Sequence, residues 1–598
     1  MKSRTSNRER LRALAAITGL TAAVLATLTA PPAGAAPAIG SACPAAYPID
    51  QLSIGQHVSG LTVSSGTTPD EFTGNVLGVV DGGIAPGIDM IIVQLSSPAI
   101  DNAGIWAGMS GSPVYADDGT LIGAVSYGLT YEASPVAGVT PAADMQALLG
   151  GGAASSTAKA LADSRQVALP QRMQQRLVTD GLATQNQAQA GLTRLPLPLG
   201  VSGAVSINRL NKAESRLHGP SLLGQRDVLV YKTNAAPSAP ADGDAIFEGS
   251  NLAASISDGD LTAAAIGTTT MVCDGQAVGF GHPFNFTGDS TMTMHGADAI
   301  TVLKDDIGGS YKLANLTGAT GEITGDHLAG ITGPLDEFPD TALVESNVTD
   351  VSTGKTRTGD TDVSLPDYLP DVALFAEVNN QDVVIDRVGA GSSLVHFTVD
   401  GTAGGVPFTL VRTNRFASSF DISFESVFEM YEDLYKLINN KFSDVTIDSV
   451  RITTEMDKAD RAFSVGKVER KAGTRWVTLN RGSLFKAKAG STVTLRVTLN
   501  SRRNQFGTKV ETVSVKVPDT RKKASFGDLS VGNLQFSSGR ASSFDDLVTK
   551  LGAAPRNDQV RAQISLFSRR GSRHSAGAPK SVGDVVHGAR SFQLFITH

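Results

Sequence analysis

The stretch Gly108-Met109-Ser110-Gly111-Ser112-Pro113, continued by Val114-Tyr115-Ala116-Asp117-Asp118-Gly119-Thr120-Leu121-Ile122-Gly123-Ala124-Val125, decides the reading of this chain. A serine stands among small residues and an apolar hairpin follows at once. Glycine has no Cβ to block a close approach, so a loop of this composition can turn several backbone N–H groups towards one point. A serine held there can attack a carbonyl carbon while those N–H groups stabilise the oxyanion that forms. Asp117-Asp118-Gly119 predicts the turn of a hairpin between Pro113–Ala116 and Thr120–Tyr127.

Upstream, Gly60–Val63, Gly74–Val80 and Asp89–Leu95 read as strands, the last apolar on both faces and therefore central. Residues 37–150 thus form a first β unit carrying the serine. Residues 151–195 are rich in Ala, Ser, Gln and Arg and read as a helical or flexible connector. The β pattern returns at Pro196. Leu261–Val272 and Gln276–Phe284 read as strands around the turn Asp274-Gly275. The second places His282 at a strand-to-loop junction, between Gly281 and Pro283, a setting like that of Ser110.

Residues 336–443 read as a β extension, including Val383-Val384-Ile385, that ends in an amphipathic helix over Ser423–Asn440. Alternating strands from 444 to 598 suggest a β-sandwich-like accessory domain.

Residues 1–36 read as a signal peptide. Lys2, Arg4, Arg8, Arg10 and Arg12 precede an Ala/Leu/Val-rich run, and Ala33-Gly34-Ala35 is a small-residue cleavage signal. Export to the exterior or the cell envelope is expected. In that setting Cys43 and Cys273, the two cysteines of the chain, either pair or remain as two thiols. Without residues 1–36 the formal charge of −7 becomes −11, because five basic residues and one acidic residue leave with them. The deficit is uneven: from Ser501 onward 16 Lys/Arg face 7 Asp/Glu. No nucleic-acid partner is expected. The basic tail reads as solvated strand faces, or as a contact with the cell envelope. The two cysteines and nine histidines show no metal-ligand spacing, and no cofactor is expected.

Gly-x-Ser-Gly-x-Pro followed by a strand, a glycine turn and a second strand is not the Gly-x-Ser-x-Gly elbow of α/β-hydrolases, because Ser112 stands where that motif needs its last glycine. Together with Leu61-Thr62-Val63, Leu121–Ala124, Phe280-Gly281-His282 and the Gly321–Gly333 segment, it resembles the SpoIVB-type serine peptidases. The resemblance covers roughly residues 45–145 and 255–335.

It implies a mostly β, chymotrypsin-like double β-barrel hydrolysing peptide bonds of a protein or peptide substrate. The serine half here precedes the histidine half (196–335), as in a circular permutation. It also implies Ser110 as nucleophile, His282 as general base, and the N–H groups of Gly108 and Ser110 as oxyanion hole. The acid of that family sits in an Asp-Pro ahead of the nucleophile, where this chain has Ser97-Pro98. Asp101 is the nearby candidate; Asp89 lies on the preceding strand. Ser112 is the alternative nucleophile. The competing reading is a catalytically degenerate peptidase fold that serves as a cell-envelope binding or adhesion module. A third, a polysaccharide-active enzyme with paired carboxylates, has no spacing in its favour.

Overall fold

The structure is a computed structural model and describes residues 43–129, 133–150, 166–218, 222–223, 228–480, 482–519, 524–535, 539–568 and 571–597. The signal-peptide reading of residues 1–36 and the stretch 151–165 of the connector lie outside the described residues.

The chain is mostly β. Six strands build a closed antiparallel barrel: β1 (His57–Thr62), β2 (Asp70–Ala85), β3 (Ile88–Ser96), β4 (Pro113–Tyr115), β5 (Leu121–Leu129) and β6 (Val136–Pro141). They pair in the order β4-β1-β2-β3-β6-β5, and β5 returns to β4 to close the ring. Closure removes the unpaired edges that an open sheet would expose. Val58, Phe72, Val76, Ile91, Val93, Val125 and Val139 form one buried cluster with Trp106 and Met109 of the serine loop. The stretches Gly74–Val80 and Asp89–Leu95, read as strands from the sequence, supply Val76, Ile91 and Val93 to that inward face.

The connector holds helices Gln171–Thr179 and Gln185–Ala190. It also contributes two short strands to the barrel sheet, β7 (Gln166–Val167) and β8 (Leu192–Arg194), with β8 lying on β5. Next come β9 (Leu197–Val201), β10 (Val228–Lys232), β11 (Asn251–Gly259), β12 (Ala263–Cys273), β13 (Gln276–Gly279), β14 (Gly288–Leu303), β15 (Tyr311–His327) and β16 (Gly330–Pro334). Strands β12, β13, β16, β15, β14 and β11 pair in that sequence, and β11 pairs with β12 as well. The same sheet continues through β17 (Ala342–Asp350), β18 (Thr356–Val363), β19 (Gly391–Ala403), β20 (Val406–Ser418) and β21 (Val445–Asp457).

Two readings of the sequence change here. Val383–Ile385 is not a strand but the end of a helix, Leu369–Ile385, of which all but one residue is buried. A helix covered on every side needs no polar face and so shows no helical periodicity to read. The boundary placed at 444 also moves. Strand β21 pairs with β17 and β19 and belongs to the large sheet, so the C-terminal part begins at Ala462. It consists of a five-stranded and a six-stranded sheet whose apolar side chains, among them Phe463, Leu495, Leu529, Ile564 and Phe592, share one cluster. The amphipathic stripe is a helix as read: Phe428–Ile438 buries Tyr431, Leu434 and Leu437, just after the short helix Ile422–Glu425.

Cys43 and Cys273 form a disulfide between the first described residue and the end of β12. A cross-link across 230 residues removes much of the freedom of the unfolded chain.

Candidate active site

The serine loop is shaped by two glycines. Gly108 and Gly111 have φ of +100° and +98°, a region that L-residues with a side chain rarely occupy. At Gly111 space is as decisive as φ: a Cβ would stand 1.9 Å from the carbonyl oxygen of Thr268. The loop can therefore lie flat against β12. Three of its carbonyls are turned that way. Gly108 O accepts from Thr268 Oγ1 (3.1 Å), Ser110 O from the Thr268 N–H (2.8 Å) and Gly111 O from Thr270 Oγ1 (2.8 Å). On the barrel side, Gly111 N–H donates to Val125 O and Val125 N–H to Ser112 O, which ties the loop to β5. The N–H groups of Gly108 and Ser110 have no hydrogen-bond partner among the described residues. Two unpaired donors beside a serine are what an oxyanion hole requires.

Ser110 Oγ lies 2.9 Å from His282 Nε2, and both side chains are fully buried. The other ring nitrogen, Nδ1, lies 2.9 Å from the carbonyl oxygen of Pro283. A carbonyl only accepts, so Nδ1 must carry the hydrogen and Nε2 presents its lone pair to the serine hydroxyl. That is the tautomer a general base needs. Burial and the nearby positive charge of Arg194 pull the His282 pKa from 6.5 down to about 3, against the stabilising pull of the Pro283 carbonyl. The ring is neutral in this closed state.

The histidine loop is held from several directions. Phe280 and Gly281 both have φ of +68°, a sharp turn out of β13 that only Gly281 takes without strain. Thr140 Oγ1 donates to Gly281 O (2.6 Å) and shares a hydrogen bond with Ser126 Oγ (2.6 Å), linking β5 and β6 of the barrel to this turn. Beyond the ring, the buried carboxylate of Asp326 accepts the N–H groups of Phe284 (2.7 Å), Asn285 (2.7 Å) and Thr287 (3.3 Å). Burial pushes the Asp326 carboxyl upward, and those donors partly offset it.

Asp101 is not brought to His282. It is exposed in the helix Pro98–Ala103 and accepts from Ser96 Oγ at 2.9 Å, so the group that orients the imidazole is the Pro283 carbonyl. Ser97 has its own duty: its hydroxyl caps that helix by accepting the Ile100 N–H. Asp89 accepts the Gly82 N–H across the β2–β3 turn. Ser112 is a buried bridge whose hydroxyl donates to Thr62 Oγ1 at 2.9 Å, with Thr268 Oγ1 at 3.4 Å.

Asp326, Thr140 and the Pro283 carbonyl carry no short motif. The signal nearest to hand was the Gly321–Gly333 segment that surrounds Asp326. Lys312 is a further unread neighbour. It is fully buried, its Cβ would meet a Cβ on Gly108 at 2.9 Å, and Nζ donates to Asn251 Oδ1 at 2.8 Å. Burial pulls its pKa down to about 7. Among the described residues no cluster of His, Cys, Asp or Glu could hold a metal ion.

No family model, no curated protein and no solved structure matches this chain.

Proposed function

We propose that this chain is a serine peptidase of the SpoIVB type, with the two six-stranded rings acting as a permuted chymotrypsin-like double barrel. The observation that carries the reading is the contact of Ser110 Oγ with His282 Nε2 at 2.9 Å, with Nδ1 committed to a carbonyl. Ser110 attacks a peptide carbonyl and passes its proton to Nε2. The Gly108 and Ser110 N–H groups take the oxyanion. The imidazolium then protonates the leaving amine, and water completes the cycle by the same route. With a carbonyl in place of a carboxylate behind His282, the imidazolium is less stabilised and turnover is slower than in a full triad.

The Cys43–Cys273 disulfide suits an exported protein, in keeping with a cleaved signal peptide. The two C-terminal sheets then form a β-sandwich-like accessory domain with a basic face towards the cell envelope.

The decisive test is Ser110-dependent labelling of the full chain by an alkyl fluorophosphonate. Ser110→Ala removes the adduct and His282→Ala slows its formation at least a thousandfold. A folded chain that never labels overturns the reading. The degenerate, binding-only alternative draws on the missing carboxylate, and that negative result is what favours it.

A further inference from the structure

We propose that Leu192–Pro196 occupies the acyl-side substrate cleft of the Ser110–His282 centre, with Leu195 in the place of the residue whose carbonyl is attacked, and that the substrates are extended peptides with a leucine-sized aliphatic side chain at that position. The inference rests on the peptidase reading above.

Strand β5 does two jobs in succession. At Val125 it anchors the serine loop through Gly111 and Ser112. From the next residue on, its edge is covered by the chain itself. Leu195 N–H donates to Ser126 O at 3.0 Å, and Tyr127, Gly128 and Leu129 pair antiparallel with Arg194, Thr193 and Leu192. An extended segment hydrogen-bonded along the strand that leads away from a nucleophile is how a peptide binds by strand addition. Backbone bonds then hold it and pockets choose its side chains.

The pocket is present and filled. Leu195 is 5% exposed and packs with Ala103, Trp106 and Met109, the residues that lead into Ser110. Its floor is Gly128: a Cβ there would come within 3.0 Å of Leu195 Cδ2 and 3.7 Å of Ile105 Cγ2. The space over Gly128 is taken up by a leucine side chain, which is the ground for expecting an aliphatic residue of that size in a substrate. The chain then crosses the loop, with Pro198 Cγ 3.4 Å from the place of a Cβ on Gly108.

The segment is seated as an occupant and not as a bond about to be cut: among the described residues no carbonyl, that of Leu195 included, accepts from the N–H groups of Gly108 or Ser110. It also brings the positive charge of Arg194, which adds to burial, the larger cause, in lowering the His282 pKa. A cavity of about 270 Å³ runs beside Thr193–Pro196, between them and the turn at Asp305–Ser310. The segment therefore borders open space on the side from which a peptide could replace it.

The experiment compares the native chain with Leu195→Asp, whose charge cannot stay in the apolar pocket, by the rate of Ser110 labelling with an alkyl fluorophosphonate. We expect at least tenfold faster labelling in the variant. A tetrapeptide copy of Leu192–Leu195 should slow it again, and a copy ending in aspartate should not. Among peptidyl diphenyl phosphonates, the leucine analogue should label the variant at least tenfold faster than the phenylalanine or arginine analogues. If Leu195→Asp fails to fold, Leu195→Ala, which only empties the pocket, serves with the same readouts. Ser110 labelling at equal rates in native and variant chains, without competition, overturns the occupancy and leaves the peptidase reading standing. A phenylalanine or arginine analogue that reacts fastest overturns the pocket assignment. No Ser110-dependent label in any folded form overturns both readings together.

Discussion

The serine loop and the histidine loop meet at one hydrogen bond, yet they are built by opposite means. Gly108–Pro113 is held almost entirely through its own backbone. Three of its carbonyls go to β12, its shape comes from two glycines, and it contains no titratable group. The turn Phe280–Asn285 depends on side chains from elsewhere: Thr140 and Ser126 from the barrel and Asp326 from β15. A loop shaped by its own glycines is vulnerable to added volume. A loop held by borrowed side chains is vulnerable to their removal and to pH.

The harshest probe of that contrast is Gly111→Ala. The new methyl meets backbone at 1.9 Å and at a φ of +98°, and backbone cannot step aside as a side-chain tip can. We expect a loss of about 4 kcal/mol or more in chemical denaturation, with Ser110 labelling abolished. A Gly111→Ala chain as stable as the native one would remove the case for a backbone-shaped loop.

Asp326→Ala attacks the other loop. It leaves three N–H groups without their acceptor, that of the buried Phe284 and those of the less buried Asn285 and Thr287, which costs about 3 kcal/mol in all. The labelling rate of Ser110 should fall ten- to a hundredfold. Asp326→Asn keeps one acceptor oxygen and should recover part of both losses. Recovery of stability without recovery of rate would make Asp326 merely structural.

The response to acid belongs to the histidine side. His282 has its ordinary pKa near 6.5 in the unfolded chain and about 3 in the fold. Between those values the unfolded chain binds the extra proton, so folded-state stability is complete above pH 6.5 and declines as pH falls towards 3. The loss is on the order of a few kcal/mol, and denaturation curves at pH 7.5, 5 and 4 measure it. Lys312 has the same sign in a higher window. It is charged when unfolded below 10.5 and loses its proton near 7 in the fold, so Lys312→Met should gain most, relative to the native chain, near pH 7 and least near pH 10.5.

The smallest effect is expected at the aspartate that the sequence suggested. Asp101→Asn removes an exposed contact with Ser96 and should change stability by about 0.5 kcal/mol or less, with labelling unchanged. A loss comparable to that of Asp326→Ala would restore Asp101 to the site.

Much of the local architecture was legible because it is written in neighbouring residues. The glycine spacing around Ser110, the hairpin at Asp117–Gly119, the strand–turn pattern that ends at His282 and the stripe of the Phe428–Ile438 helix all follow from local sterics and from the periodicity of burial. The helix Leu369–Ile385 was not legible, because complete burial erases the periodicity that marks a helix. The partners of His282 were not legible either. Thr140, Asp326 and Arg194 lie far from it along the chain, and the group at Nδ1 is a backbone carbonyl, which every residue possesses and no motif can mark. The local chain thus dictates which residues can form the glycine-shaped serine loop. Folding alone determines which histidine nitrogen faces the serine, what holds the ring and which segment lies along β5, because those are distances between elements that the order of residues does not encode.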